Sequence, residues 1–267
     1  MNFLEAILDR KRVEVAERRA HQSDAALEAS IASSGLSRTA AGSNRLWQAL
    51  SAPGGNTRVI AEVKRASPSA GSIKGGLSAP ATAQIYAESG AAAISVLTDG
   101  PGFGGSPEDL QAARAVVSTP LLRKDFVVDR YQLLEAKAWG ADAALLIVAA
   151  LSKNQLQTLL KECDALELDA LVEVHDSAEL ETALEVGSKI VGVNNRNLKT
   201  FAVDLKTSEL LIPRIPAGVR AVAESGIKGV EEVRRLRGCG AVNYLVGEAL
   251  VRAPDAGELL RALTQVS

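Results

Sequence analysis

Residues 121–147 read LLRKDFVVDRYQLLEAKAWGADAALLI, and this stretch decides the fold. An apolar run stops abruptly at Arg123-Lys124-Asp125. A helical pattern follows, DRYQLLEAKAWG, opening on an acidic residue and closing on a glycine. A second apolar run, DAALLI, comes next. Strand, helix, strand is the unit by which two parallel strands are joined. A lysine at the end of a buried strand, with charges on both sides, is either part of a solvated turn or a proton donor aimed into a pocket.

The same rhythm runs outward in both directions. Short apolar segments begin near residues 58, 92, 119, 142, 169, 188, 219 and 241: RVIAEV, AAISVL, TPLLR, DAALLI, DALVEV, SKIVGV, VRAVAE and AVNYLV. Their average spacing of about 26 residues suits strand, loop, helix and return loop. SPEDLQAARAVV shows the helical signature, with Ser106 as N-cap, Pro107 next and acids in the first turn. Near-continuous apolar strands imply a parallel sheet covered on both faces. Eight such units predict an α/β chain forming a (β/α)8 TIM barrel. A doubly wound open sheet is the alternative; it calls for a glycine-rich dinucleotide turn after the first strand, and EVKRASPSAG is not one. Residues 1–55 carry helical patterns and read as an N-terminal helical extension packed on the barrel. Residues 56–267 hold the eight βα units, and 1–267 is taken as one domain. MNFLEAILDRKRVEVAERRA reads as an amphipathic helix with Phe3, Leu4, Ile7, Leu8 and Val15 near one face.

Composition sets limits. Of 267 residues 47% are hydrophobic and only 3% aromatic, so the core is aliphatic. A net charge of −2 with interspersed signs argues against a nucleic-acid partner. The longest apolar run, AALLIVAAL, falls far short of the ~20 residues that cross a bilayer. No signal-peptide core is visible, and Cys163 and Cys239 have neither metal-ligand nor disulfide spacing, so a cytoplasmic protein is expected.

In a barrel the chemistry lies at the C-terminal strand ends. Here those ends carry Glu62 and Lys64, Lys124, Glu173, Asn194 with Arg196, then Glu224-Ser225-Gly226, and Gly247. An ionisable group buried without a partner is costly, about 3–5 kcal/mol where one of a pair is removed. Glu62, Glu173 and Glu224 therefore call for the cations Lys64, Lys124 and Arg196, and Lys124 is read as pointing into a charged pocket. A paired ammonium stays protonated, which suits a general acid or a clamp for an oxyanion. Ser225, Gly226, Gly247 and the backbone of Glu248 suit a phosphate. Phe103 and Phe126, on loops in an aromatic-poor chain, suit the wall of an aromatic substrate site. His175 is expected to be a capping or surface histidine, and His21 a solvated one.

IAEVKRASPS, AAISVLTD, LLRKDF, ADAALLI, LVEVHD, GVNNRNLKTF, VAESGI and YLVGEAL together resemble, in order, the indole-3-glycerol phosphate synthase family of tryptophan biosynthesis. The resemblance implies a (β/α)8 barrel without metal or organic cofactor. It implies a phosphorylated small-molecule substrate, 1-(2-carboxyphenylamino)-1-deoxyribulose 5-phosphate, closed to an indole with loss of carbon dioxide and water. It further implies that Lys124 protonates or polarises the ketone and that Glu173 is a second acid/base. Lys64 would hold the substrate carboxylate or assist dehydration. Glu62, Asn194, Glu224 and Ser225 would orient these groups. Arg196, Gly226, Gly247 and Glu248 would take the phosphate, and Ser67, Pro68, Phe103 and Phe126 would surround the substrate ring. A monomer is expected, with a weak homodimer as the alternative.

Gly102, Ala70 and Ala249 depart from residues common in the family, an aromatic, a lysine and a serine respectively. Two other functions stay open on the residues alone: a Schiff-base aldolase using Lys124 or Lys64, and a non-catalytic phosphate-binding barrel. Phosphoribosylanthranilate isomerase is set aside, because EVKRAS lacks the cysteine expected after the first strand.

Overall fold

A computed structural model describes residues 3–33, 44–52, 55–67, 71–73 and 75–267, with the side chains of Ser67 and Ser72 outside the description. Eight parallel strands form a closed barrel: Arg58–Val63, Ala93–Leu97, Leu121–Lys124, Ala143–Ile147, Asp169–Val174, Ile190–Asn194, Arg220–Glu224 and Asn243–Val246. Each pairs with its sequence neighbours, and the first pairs with the last in the register Arg58↔Asn243. All eight apolar segments are strands. The third reaches Lys124, one residue beyond the expected TPLLR. An added two-stranded hairpin, Ala66–Ser67 with Gly71–Ser72, follows the first strand.

Alternation sorts the strand residues into two apolar layers. Ile60, Leu122, Leu145, Leu171, Val222 and Leu245 fill the barrel interior. Val59, Ile94, Leu121, Leu146, Val172 and Tyr244 face the surrounding helices. Burying each aliphatic side chain contributes about 1.5–3 kcal/mol, so an aliphatic chain holds this fold without many aromatic rings.

The helices start where their caps dictate. Ser106 accepts from Asp109 N–H at the start of α5 (Pro107–Val116). Asp129 and Gln132 form a reciprocal capping box on α6 (Arg130–Ala138), and Asp176 caps α8 (Ser177–Glu185). Among the remaining elements, α4 is Ala79–Glu88, α7 Lys153–Ala165, α9 Lys206–Leu211, α10 Val230–Arg237, α11 Glu248–Arg252 and α12 Ala256–Thr264.

The N-terminal residues supply α1 (Phe3–His21), α2 (Asp24–Ser33) and α3 (Arg45–Ser51). The third of these closes the bottom of the barrel. Asp169 accepts the backbone N–H of Leu46 at 2.8 Å and of Trp47 at 3.1 Å, satisfying donors that a helix start leaves free. Arg220 lies over the Trp47 ring, 4.8 Å from its centre. Leu27 and Ile31 of α2 pack on Tyr131 and Leu134 of α6.

On α1, Ile7, Leu8 and Val15 are buried as expected, whereas Phe3 is partly exposed and rests edge-on against Phe201 with ring centres 5.0 Å apart. The buried face also takes in a lysine. Lys11, 2% exposed, places Nζ 2.5 Å from Asp99 and 2.9 Å from Asp125. This junction joins the N-terminal helix to the loop ends of the second and third strands.

Candidate active site

The C-terminal end of the barrel opens into a cavity of about 1030 Å³. Its floor is a charged layer built by strand parity. Glu62, Lys124, Glu173 and Glu224 all stand one step above the interior aliphatic layer. Lys124 Nζ lies 3.1 Å from Glu173 and 3.4 Å from Glu224. Lys64 Nζ lies 2.9 Å from Glu62. The side chains of Lys124, Glu173 and Glu224 are 14%, 2% and 2% exposed, so these charges interact with little solvent screening.

The flanking charges of the opening stretch are turned the other way. Arg123 and Asp125 pair at 3.0 Å on the outer face of the third strand, both buried. Arg123 also meets Glu135 at 3.2 Å and covers the Trp139 ring at 4.4 Å from its centre. Asp125 accepts from Thr98 Oγ1 at 2.7 Å. Lys124 alone of the three points inward, and the strand's alternation is the cause.

Two glycines make room for the carboxylates. A Cβ on Gly192 would overlap Glu224 Oε1, and one on Gly247 would overlap Glu62 Oε1. Gly192 within the sixth strand and Gly247 just after the eighth are gaps into which a neighbour's carboxylate fits.

Burial works against the charge on Lys124, but Glu173, Glu224 and Glu62 outweigh it and hold the amine protonated well above the usual lysine range. Burial likewise opposes the Glu173 charge. Lys124, then the nearby His175 ring and Asn194 overcome it, and the carboxyl stays ionised below the usual range. Glu224 goes the other way. Burial raises it, the pull of Lys124 is insufficient, and Glu173 and Glu62 add repulsion, bringing it up to about 8. Its Oε1 is buried without a hydrogen-bond partner. Three carboxylates near two ammonium groups thus settle into charged and neutral members. Glu62 sits lower than an ordinary glutamate, because Lys64 and then Lys124 outweigh its burial.

Ser225 and Gly226 turn the chain after the seventh strand with φ of 63° and 81°. Gly226 and Gly247 line the cavity beside Arg196, Lys228, Glu248 and Arg252. Arg196 N–H donates to Asn194 Oδ1 at 3.0 Å, and its guanidinium donates to Phe201 O at 3.3 Å. Glu248 pairs with Arg252 at 3.0 Å. Phe103 and Phe126 lie with ring centres 5.9 Å apart and both line the cavity. The cavity thus gathers Glu62, Lys64, Phe103, Lys124, Phe126, Glu173, Asn194, Arg196, Glu224, Ser225, Gly226, Gly247 and Glu248. Pro68, Ala70 and the side chain of Ser67 lie outside the described residues. Gly102 adopts φ 85°, a left-handed conformation that an aromatic residue occupies only with strain.

His175 is the correction. It is neither a cap nor a surface residue: its ring is 12% exposed and spans Glu173, 3.3 Å from Nε2, and Glu179, 3.0 Å from Nδ1. The legible signal was parity, since residue 175 directly follows a strand whose inward carboxylate is two positions earlier. Lys11 and its partners Asp99 and Asp125 were also passed over. Cys163 is a buried core residue and Cys239 is half-buried.

No helix among the described residues is long and apolar enough to cross a membrane. A sequence model described as indole-3-glycerol phosphate synthase matches residues 4–263. The chain is 46% identical over 263 residues to the indole-3-glycerol phosphate synthase of Syntrophobacter fumaroxidans, covering 98% of this chain and 97% of that one. It is 45% identical over 262 residues to the protein of that name from Acidithiobacillus ferrooxidans, covering 98% of both. Among solved structures it is similar to 3-hexulose-6-phosphate synthase from Salmonella typhimurium, with TM-score 0.61 and 15% identity over 78% of this chain and 96% of that one. It is also similar to a mandelate oxidase, with TM-score 0.59 and 16% identity over 78% of this chain and 72% of that one. At such identities the two structures speak to the fold alone.

Proposed function

The chain belongs to the indole-3-glycerol phosphate synthase family, and from that premise we propose roles for the residues around its cavity. The reaction closes the pyrrole ring of 1-(2-carboxyphenylamino)-1-deoxyribulose 5-phosphate and releases carbon dioxide and water, a carboxy-lyase step of tryptophan biosynthesis. Because an anionic carboxylate leaves as neutral carbon dioxide, each turnover takes up one proton.

Lys124 donates to the ketone oxygen as the ring carbon attacks. A positioned donor at a developing oxyanion is worth about 2.7–4 kcal/mol. The observation that carries this assignment is the Lys124 ammonium held between Glu173 and Glu224 at the cavity floor. The same carboxylates keep the amine charged, which disfavours the Schiff-base alternative, where a neutral lysine is required. Glu173 moves protons in the closure and dehydration steps. Lys64 holds the substrate carboxylate, and Glu62, Asn194, Glu224 and Ser225 fix the two lysines and Glu173.

Phe103 and Phe126 with Ser67 and Pro68 receive the aromatic ring. Arg196 and the backbone at Gly226, Gly247 and Glu248 receive the phosphate, whose distance from the reacting carbons lets it act as an anchor. We read 1–267 as one barrel unit with 1–55 as its extension, in a cytoplasmic monomer that binds no nucleic acid.

Incubation with the carboxyphenylamino deoxyribulose phosphate should yield indole fluorescence. Lys124→Met should lower kcat by roughly 100- to 1,000-fold with the fold intact. Near-normal turnover by that variant would refute the assignment, and binding without turnover by the parent protein would favour a non-catalytic barrel.

A further inference from the structure

Glu173 is gripped from two sides. Oε2 faces Lys124 at 3.1 Å and Oε1 faces the His175 ring at 3.3 Å. His175 does not line the cavity. Its other nitrogen, Nδ1, lies 3.0 Å from Glu179 Oε2, and the same oxygen accepts the His175 backbone N–H at 2.7 Å. Glu179 is itself placed by α8, where its N–H donates to the cap Asp176 at 2.9 Å. A line of charges therefore runs from Lys124 through Glu173 and His175 to Glu179, whose side chain is 19% exposed.

Nδ1 is within hydrogen-bond distance of Glu179, and Nε2, buried without a hydrogen bond, lies in ion-pair range of Glu173. A neutral imidazole has one nitrogen without a proton, and that nitrogen would set a lone pair against a carboxylate. The imidazolium is the form that sets positive charge against both carboxylates. Consistently, burial pulls the ring down but Glu173 and Glu179 bring it up to about 10. Around Glu173 the other titratable groups are Lys124 on the third strand, Glu62 on the first with its partner Lys64, and Glu224 on the seventh, raised to about 8. Without the imidazolium, Glu173 would keep Lys124, which it shares with Glu224, while Lys64 is engaged by Glu62, and the terminal carboxylate torsion, a soft one, would lose its second restraint.

We infer that His175, oriented by Glu179, is a positioning residue that fixes and ionises the Glu173 carboxylate opposite Lys124. The inference rests on the assignment of Glu173 as an acid/base. His175 touches no substrate, so its influence falls on the chemical step and on its pH dependence, while substrate affinity is untouched.

The test is a set of pH–rate profiles, by indole fluorescence, for the parent protein, His175→Gln, Glu179→Gln and the double variant. His175→Gln should lower kcat roughly 10- to 100-fold, in line with loss of a charged hydrogen bond behind a working group. KM should stay within about threefold, because the ring is outside the cavity wall. The acidic limb should move to higher pH by about one unit, since an ionised partner has been taken from Glu173. The double variant should be no slower than His175→Gln, because Glu179 acts through the ring.

A slower His175→Gln enzyme with an unmoved profile overturns the inference, as does a matching rise in KM. No turnover by the parent protein would instead sink the functional reading. Should the variants not fold, the parent protein still decides: an NMR titration should show His175 doubly protonated at pH 8, above the ordinary histidine value of about 6.5. Titration of His175 near 6.5 overturns the inference.

Discussion

Replacing Lys11 by methionine keeps the length of the side chain and removes an ammonium that bridges two buried carboxylates. Lys11 Nζ lies 2.5 Å from Asp99, 2.9 Å from Asp125 and 3.0 Å from Glu14. Burial pulls the amine down, but the two aspartates outweigh it and hold it charged. Removing one member of a buried ionic cluster costs about 3–5 kcal/mol. The lower end applies, because neither carboxylate is left bare. Asp99 keeps Arg10 at 2.8 and 2.9 Å, and Asp125 keeps Arg123 at 3.0 Å. The expected loss is therefore about 3 kcal/mol, a fall of roughly 6–12 °C in Tm for a domain of this size. Urea unfolding followed by tryptophan fluorescence measures it. Trp139 lies under Arg123, within the affected network, so its signal reports the local change as well.

The pH dependence gives an independent check. Burial raises the Asp125 carboxyl, but Arg123 and Lys11 overcome this and depress it below the usual range. A depressed carboxyl contributes stability that is present above the unfolded value of about 3.9 and lost as pH falls toward its folded value. In Lys11→Met that depression is smaller, so the gap between the two proteins should narrow below about pH 4. A loss under about 1 kcal/mol at pH 7, or a gap that does not change with pH, would refute the buried ionic junction.

Gly192→Ala should displace Glu224 from its seat and lower kcat by at least tenfold, measurable in the fluorescence assay, with a crystal structure showing a moved carboxylate. Glu224 is raised to about 8, so its contribution is full below the unfolded value near 4.5 and lost as pH rises through 8. Thermal scans should accordingly find Glu224→Gln gaining on the parent protein from pH 5 to pH 9. Arg196→Ala should raise KM for the phosphorylated substrate roughly 10- to 150-fold with kcat within a few-fold, since a charged hydrogen bond is worth about 1.5–3 kcal/mol. Asp169→Ala removes the acceptor of two N–H groups at the start of α3 and should cost about 1–2 kcal/mol, read from the denaturant midpoint, while sparing kcat.

The fold was legible because its signals are local. Eight apolar segments, Ser106 before Pro107 and Asp129 before α6 each state their conformation within a few residues. The inward carboxylates Glu62, Glu173 and Glu224 were legible by parity, because a strand's alternation leaves a charge above an aliphatic layer few places to go. What stayed hidden depends on distant partners. Lys11 resembles an ordinary helical lysine, although its spacing from Ile7 and Val15 puts it on the buried face; only the fold brings Asp99 and Asp125 to it. His175 followed a strand and preceded a cap, so the local reading favoured the cap, while Glu179, one helical turn on, draws the ring inward. The seats at Gly192 and Gly247 were likewise invisible, since a glycine in or just after a strand does not announce which neighbour fills its gap.

The ring of strands is sealed by its first and last members, Arg58↔Asn243 through Ala61↔Val246. A ribosome adds roughly 5–20 residues per second, so the first strand waits roughly 10–40 s for its final neighbour. Throughout that interval the nascent chain presents an unpaired, apolar strand edge. The Lys11 junction, by contrast, is available as soon as residue 125 has emerged, and it ties the earliest helix to the half-built sheet before closure. Substitutions near the end of the chain should therefore show themselves first as lower yield during synthesis and only second as lower stability of the finished enzyme.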